Sequence, residues 1–455
     1  MNIYYFKINN LNYKFYTMNH NKILIKNGLI VSSQKITKKD VLINNVIIES
    51  IDEKINIDCD KVIDASGLYV MPGGIDPQVH FREPGLTHKE TIESGSRAAV
   101  AGGITTFFEM PNTKPATITS ELLNQKFDIA SKTSVANYSF FLGATPDNFS
   151  EIENMRDNCG LKIFMGSSTG ELLVESDAAL DEIFKRCNKV IAIHSEDEAI
   201  LKKIAQEGIG ENFTDHPNAR PVEAAVTSTV KAIKLALKYK KRLHILHLST
   251  AEEVEIIRKH KHTNLITAET TPQHLLLSAP TIYEEKGAFA QMNPPIRTQR
   301  HQDELWRGIL DGTIECIATD HAPHTLEEKQ LPYGKAPAGM PGVQTSLPLM
   351  LNEVSNKKIT IEQVVAWMCE NPAKVYNIKN KGFLKTGYDA DITIVDMNLE
   401  KTISSLEMES KCGWTVFDGK QIKGVPIITI VNGNIVYENG KILDAIKGQP
   451  VQFNE

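Results

Sequence analysis

Apolar and polar positions along the chain follow two different periods. From Lys22 to Val70 they alternate with a period near two, in "KILIKNGLIV", "DVLINNVIIESI" and "KVIDASGLYVMPG", with Asn-Gly and Asn-Asn as punctuation. That pattern predicts short strands joined by hairpins. "GYDADITIVD", "GWTVFDGKQIKG" and "PIITIVNGNIVYENGKIL" near the other end read the same way. The long middle alternates strand-like with helix-like runs. Its predicted strands are "GGIDPQVHF", "GITTFFEM", "NYSFFLG", "GLKIFMG", "KVIAIHSE", "RLHILHLS", "NLITAET" and "IECIATDHAP". Helical stretches between them include "KETIESGSRAAVAG" and "RPVEAAVTSTVKAIKLALKYKK".

Strand-then-helix units repeated in this way predict an α/β fold, a (β/α)8 TIM barrel. A doubly wound open sheet is the alternative, but no GxGxxG follows a strand to favour it. The two β-rich ends are expected to meet in one small composite β-sandwich domain, residues 18–70 with 385–455, beside a metal-dependent catalytic barrel over 71–384. Residues 1–17 precede the regular pattern and are expected to form an N-terminal extension.

Composition narrows the function. The 455 residues, 41% of them hydrophobic, suit a large core with an accessory domain. A net charge of −6 without a long basic run argues against nucleic acid as the partner. No apolar run reaches membrane-spanning length, and the first residues are too polar for a secretory signal. The six cysteines are scattered, with no Cys-x-x-Cys, and read as reduced thiols of a cytoplasmic protein.

Active-site groups of a barrel sit at the C-terminal ends of its strands. His80 and Arg82 follow the first predicted strand and Asn112 the second. Lys162 lies inside the fourth, His194 ends the fifth and His247 the sixth. Asp320 ends the eighth, with His321 and His324 just beyond. Singly, each has a plainer explanation, a structural histidine or a helix-capping aspartate. Their convergence on one barrel end points to a shared centre. Imidazole and carboxylate suit Zn²⁺, and a lysine carbamylated by CO₂ becomes a bridging carboxylate. The set therefore predicts a metal hydrolase in which the ion acidifies a bound water and Asp320 carries the proton to a leaving nitrogen. His88, His244, His274 and His321 are left outside this set.

The motifs "HFREPGLTHKE", "GGITTFFEMPNTKP", "KIFMGSS", "IHSEDE", "HLST", "MNPPIRT" and "ATDHAPH" together resemble the dihydroorotases of the amidohydrolase superfamily, from about residue 22 onward. "GFLKTGYDADITIVD" resembles the strand by which that superfamily's C-terminus rejoins its small β domain. The resemblance implies reversible closure of N-carbamoyl-L-aspartate to dihydroorotate and water in pyrimidine synthesis, through metal-bound hydroxide with Asp320 as proton shuttle. It implies one or two Zn²⁺ held by His80, N6-carboxylated Lys162, His194, His247 and Asp320. It also implies substrate contacts from His80, Arg82, Asn112, Asn293, His324, Ala338 and Gly339, with Arg82 gripping the substrate carboxylate. A homodimer fits the family, although no stretch of the chain signals an interface.

The same family places histidine where this chain has Gln78. An amide oxygen is a weaker zinc ligand than imidazole. Gln78 is thus a doubtful ligand: it reaches the metal, hydrogen-bonds a neighbouring ligand, or leaves one of two positions weak. Lys162, His194 and His247 would still hold a catalytic ion. Two rival readings are a non-catalytic scaffold relative and another cyclic amidohydrolase of the allantoinase or hydantoinase type. Arg82 argues against the latter.

Overall fold

The computed structural model describes residues 4–8, 11–15, 22–167, 172–443 and 447–454. Of the expected N-terminal extension, residues 1–3, 9–10 and 16–17 lie outside the described residues; β1 (Tyr4–Ile8) and β2 (Leu11–Phe15) pair antiparallel.

Five strands follow: β3 (Lys22–Val31), β4 (Ile36–Asn44), β5 (Ile47–Asp52), β6 (Lys61–Asp64) and β7 (Tyr69–Pro72). The barrel strands are β8 (Gly74–Val79), β9 (Ile104–Glu109), β10 (Asn137–Gly143), β11 (Gly160–Phe164), β12 (Ile191–His194), β13 (Leu243–Ile245), β14 (Ile266–Thr270) and β15 (Cys316–Ile317). The chain ends with β16 (Ile392–Thr402), β17 (Gln421–Val431), β18 (Asn434–Glu438) and β19 (Lys441–Ile442).

β8 to β15 lie in chain order as one parallel sheet. It closes where His80 N–H donates to His321 O at 2.7 Å and Val79 bridges His321. All eight strands read from the sequence are the barrel strands, as parallel strands buried on both faces demand near-continuous apolar runs. Their side chains alternate. Leu161, Ile163, Ile191 and Ile193 join the core shared with the helices. Lys162 and Ala192, which are register partners, take the other face, as do Phe164 and His194. The two helical stretches form helices Ile92–Ala101 and Val222–Tyr239. Thr91 caps the first through its hydroxyl, which accepts from Ser94 N–H.

The second sheet interleaves both ends of the chain, in the order β19-β18-β17-β16-β7-β3-β4-β5, with β6 on β3. β16 pairs antiparallel with β7. Ile23, Ile25, Val41, Ile43, Ile392, Ile394 and Ile430 fill its core. One segment departs from its predicted role. "GWTVFDGKQIKG" is strand only from Gln421; residues 403–420 leave the sheet because Trp414 is buried against the barrel instead. All six cysteines are free thiols, five of them buried. Among the described residues no helix is long and apolar enough to cross a membrane.

Candidate active site

At the C-terminal ends of the barrel strands one pocket is lined by Gln78, His80, Lys162, His194, His247, Asn293, Asp320, Ala338 and Gly339. Phe164 and Ala322 complete its wall. Arg82, Asn112 and His324 do not line it: Asn112 touches His80, His324 touches Ala338, and Arg82 reaches the group through His324. Three of these residues, Arg82, His247 and Asp320, have left-handed backbone at φ of 66°, 38° and 47°. Residues other than glycine pay strain there, and such strain concentrates at functional sites. The conformation ends each strand abruptly and redirects the chain at the barrel mouth.

Lys162 is 1% exposed. Its ammonium lies 4.5 Å from the Phe164 ring centroid. Burial pushes its pKa down to about 7, against the pull of Asp320 and Glu269. Burial works to raise the Asp320 carboxyl, but the hydrogen bond and charge of His80, with His247 and Lys162, hold it down to about 2. Asp76, buried two residues before Gln78, steadies this end of the barrel. Its carboxylate accepts from Thr319 N–H at 3.1 Å, from Thr319 Oγ1 at 2.6 Å and from Gln78 N–H at 3.2 Å. Burial raises it to about 7.

Two of the histidines have their outer nitrogens committed. His80 Nδ1 meets Asn112 Oδ1 at 2.7 Å, and His194 Nε2 meets Glu196 Oε2 at 2.8 Å. Both contacts fix an N–H on the outer nitrogen. The inner lone pairs then face Asp320 Oδ1 at 3.0 Å and His247 Nε2 at 3.1 Å. The His80 lone pair opposed to a carboxylate oxygen calls for a proton or a cation between them, whereas His247 can donate its Nε2–H to the His194 lone pair. Gln78 Nε2 donates to Asp320 Oδ1 at 3.1 Å. Its carbonyl oxygen Oε1 is buried without a partner, as is His247 Nδ1. Unpaired buried polar atoms are costly, and a bound cation with its water would satisfy them. Among the described residues, no three His, Cys, Asp or Glu side chains stand together so as to hold a metal ion by themselves. Imidazoles, a carboxylate and a deprotonatable lysine sharing one pocket nevertheless make a donor set that fits a divalent ion.

Beside the pocket sits a cationic corner. Arg82 is 2% exposed, and its Nε donates to Pro323 O at 3.3 Å. Lys89 Nζ approaches His324 Nδ1 at 3.0 Å, and His324 Nε2 approaches Ala338 O at 3.0 Å. These contacts place the His324 proton on Nε2. Arg82 Nη2, 3.3 Å from that nitrogen, therefore faces another N–H and not an acceptor. Among the described residues no carboxylate pairs with Arg82. Burial lowers its pKa to about 10, and burial with Arg82 and Lys89 nearby lowers that of His324 to about 3.

The other histidines sit elsewhere. His244 bridges Thr267 and Glu269; His274 contacts Thr271 and Pro294 O; His321 lies between Glu90 and the Gly342 N–H. Several participants escaped the sequence reading. Glu196, paired with Arg220, orients His194, and its place two residues after that histidine was the available signal. His216 Nε2 meets Asn293 Oδ1 at 3.0 Å. Lys329 and Trp414 had no local signal, since their neighbours come from distant parts of the chain.

The barrel and the pocket at its strand ends define the class as a hydrolase barrel, and comparison with known proteins gives its family. The chain belongs to the amidohydrolase family, whose profile matches residues 69–436. Within that family the resemblance to dihydroorotases holds. The chain is 37% identical over 417 residues to a protein named dihydroorotase from Methanosphaera stadtmanae, covering 89% of this chain and 94% of the relative. It is 35% identical over 402 residues to one from Pyrococcus furiosus, covering 88% and 87%. Among solved structures it is similar to an L-hydantoinase (dihydropyrimidinase) from Arthrobacter aurescens, with a TM-score of 0.90, 30% identity, and coverage of 95% and 99%. It is also similar to a dihydropyrimidinase from Brevibacillus agri, with a TM-score of 0.87, 26% identity, and coverage of 95% and 100%.

Proposed function

We propose that this protein is a dihydroorotase, which interconverts N-carbamoyl-L-aspartate and dihydroorotate. The observation that carries the reading is Arg82: a buried guanidinium beside the pocket, with no carboxylate in an ion pair with it among the described residues and with one nitrogen lacking an acceptor. A buried cation left in this state is an anion receptor, and both ends of the reaction present a carboxylate.

Membership of the amidohydrolase family implies a metal cofactor. In our reading the ion is zinc, one or two per chain, held by His80, Lys162, His194, His247 and Asp320. A bound divalent ion supplies Lewis-acid polarisation and acidification of water. Lys162 is suited to carbamylation because a pKa near 7 leaves a sizeable neutral amine to react with CO₂. Asp320 holds the travelling proton. In the hydrolytic direction it passes the proton to the departing ring nitrogen, and in cyclisation it takes one from the ureido nitrogen. Asn112 orients His80. Arg82, with His324 beside it, binds the carboxylate. Asn293, the Ala338 backbone and the Gly339 carbonyl read the ring's N–H and C=O groups, the Gly339 N–H being given to Gln291 O.

The hydantoinase likeness favours a second reading, since those substrates share the cyclic ureide but lack the carboxylate. Rates on dihydroorotate, hydantoin and allantoin, with metal content measured on the same sample, decide between them. Preferred turnover of dihydroorotate is expected. Preferred turnover of hydantoin or allantoin would overturn the reading, and metal-loaded protein inactive on all three would favour a scaffold.

A further inference from the structure

The connection between β16 and β17, residues 403–420, crosses from the small sheet to the barrel mouth. Glu409 pairs with Arg97 at 3.3 Å, and Lys411 N–H donates to Glu90 Oε1 at 3.0 Å. At its tip Trp414 Nε1 donates to His324 O at 2.8 Å, and its indole packs edge-on against Phe289, with centroids 4.9 Å apart. On the Trp414 ring, 5.7 Å from its centroid, lies the ammonium of Lys329.

Lys329 is 1% exposed. Among the described residues no carboxylate forms an ion pair with it. Its Nζ donates instead to Pro337 O at 2.9 Å, Gly339 O at 3.0 Å and Gln291 O at 3.4 Å. Three carbonyl dipoles and an aromatic face thus take the place of a counter-ion. They belong to two segments, and both segments reach the pocket: Asn293 lies two residues after Gln291, while Ala338 sits between the other two carbonyls, of which Gly339 supplies one. Gly339 N–H donates to Gln291 O at 2.8 Å, so one ammonium and one amide lock the segments together. The lock is tight. A Cβ on Gly339 (φ +137°) would lie 2.6 Å from Ala322 O and 3.0 Å from His324 Nε2.

We propose that Lys329, seated on Trp414, is a positioning residue for the substrate: it fixes the 336–340 backbone against the pocket, making the 403–420 connection part of the substrate site. The inference deepens the dihydroorotase reading and rests on it for the identity of the substrate. Lys329 contacts no reacting atom. Its loss should therefore weaken binding and leave the chemical step nearly intact.

The test combines dihydroorotate kinetics with hydrogen exchange of the peptide spanning residues 336–343. Lys329→Met is expected to raise KM roughly tenfold or more, with kcat within about threefold of wild type. Exchange should quicken in 336–343 and stay unchanged in helix Val222–Tyr239. Trp414→Phe keeps a ring but loses the N–H to His324 O, and should raise KM by about threefold. Should Lys329→Met fail to fold, Trp414→Phe decides alone. Unchanged KM and exchange, with only a lower melting temperature, would overturn the proposal. Wild-type protein inactive on dihydroorotate would refute the functional reading instead, and exchange would then decide whether the lock exists.

Discussion

At the scale of single residues, the site is organised by groups whose partners are missing or unusual. Arg82 is buried with no ion-paired carboxylate among the described residues. If it receives the substrate carboxylate, Arg82→Met should lower kcat/KM for dihydroorotate by about 10- to 100-fold, the worth of a charge-assisted contact. Turnover of dihydrouracil, the same ring without the carboxylate, should change little. A preference ratio unaltered by the substitution would remove Arg82 from substrate recognition. Gln78 stands where the resembling family has histidine. Its Nε2 is committed to Asp320 while its Oε1 is buried and unpaired. An amide is a weak partner for zinc, so wild-type protein should retain about one tightly held ion per chain and Gln78→His about two, by elemental analysis after dialysis. Two firmly bound ions in the wild type would show that the amide suffices.

At the scale of elements, short turns after the strands carry the recognition groups, and close backbone approach keeps them together. Gly85, in the turn that follows Arg82, has φ +86°, and a Cβ there would lie 1.9 Å from Lys114 O in the turn that follows Asn112. Gly85→Ala forces these turns apart, at a cost of at least about 1–3 kcal/mol of strain. Thermal denaturation should show the lowered stability, and the folded fraction should have a raised KM because Arg82 and Asn112 move relative to one another. Wild-type melting and kinetics in this variant would mean that the two turns are not mechanically linked. The segment after β15 shows the same principle. Rich in Gly, Pro and charge, it reads as a loop, yet Leu326–Lys329 is a capped helical turn that buries Lys329.

At the scale of the whole molecule, the small sheet and the barrel are joined by a buried charge cluster. Lys381 Nζ contacts Asp391 at 2.7 Å and Asp389 at 2.8 Å, and Asp391 also accepts from Asn137 Nδ2, at the start of β10, at 3.0 Å. Burial pulls the lysine pKa down, but the two aspartates hold it above the ordinary value. Removing one partner of a buried pair strands the other, so Lys381→Met should cost ~3–5 kcal/mol in urea denaturation. A raised lysine contributes its stability fully below its unfolded pKa, and that contribution is lost as pH rises through the folded value. The gap between wild type and variant should therefore be flat from about pH 6 to 9 and shrink only above about pH 10.4. A gap that closes below pH 9 would assign the stabilisation to another group.

The barrel was legible in the chain because its strands are continuous apolar runs and its helices have a periodic face, both local signals. The motif residues at strand ends were legible for the same reason: Lys162, His194 and Asp320 each interrupt or terminate such a run. Contacts between distant segments left no local trace. Tertiary packing alone decided that Trp414, read as strand, would leave the sheet for the barrel mouth, and that Lys329 would be buried without a carboxylate. It also determined that Arg82 would be buried against His324 and that Gln78 would turn its amide toward Asp320. Each outcome depends on which groups remain nearby once the chain has folded, and that is a property of the assembled barrel, not of any one stretch of sequence.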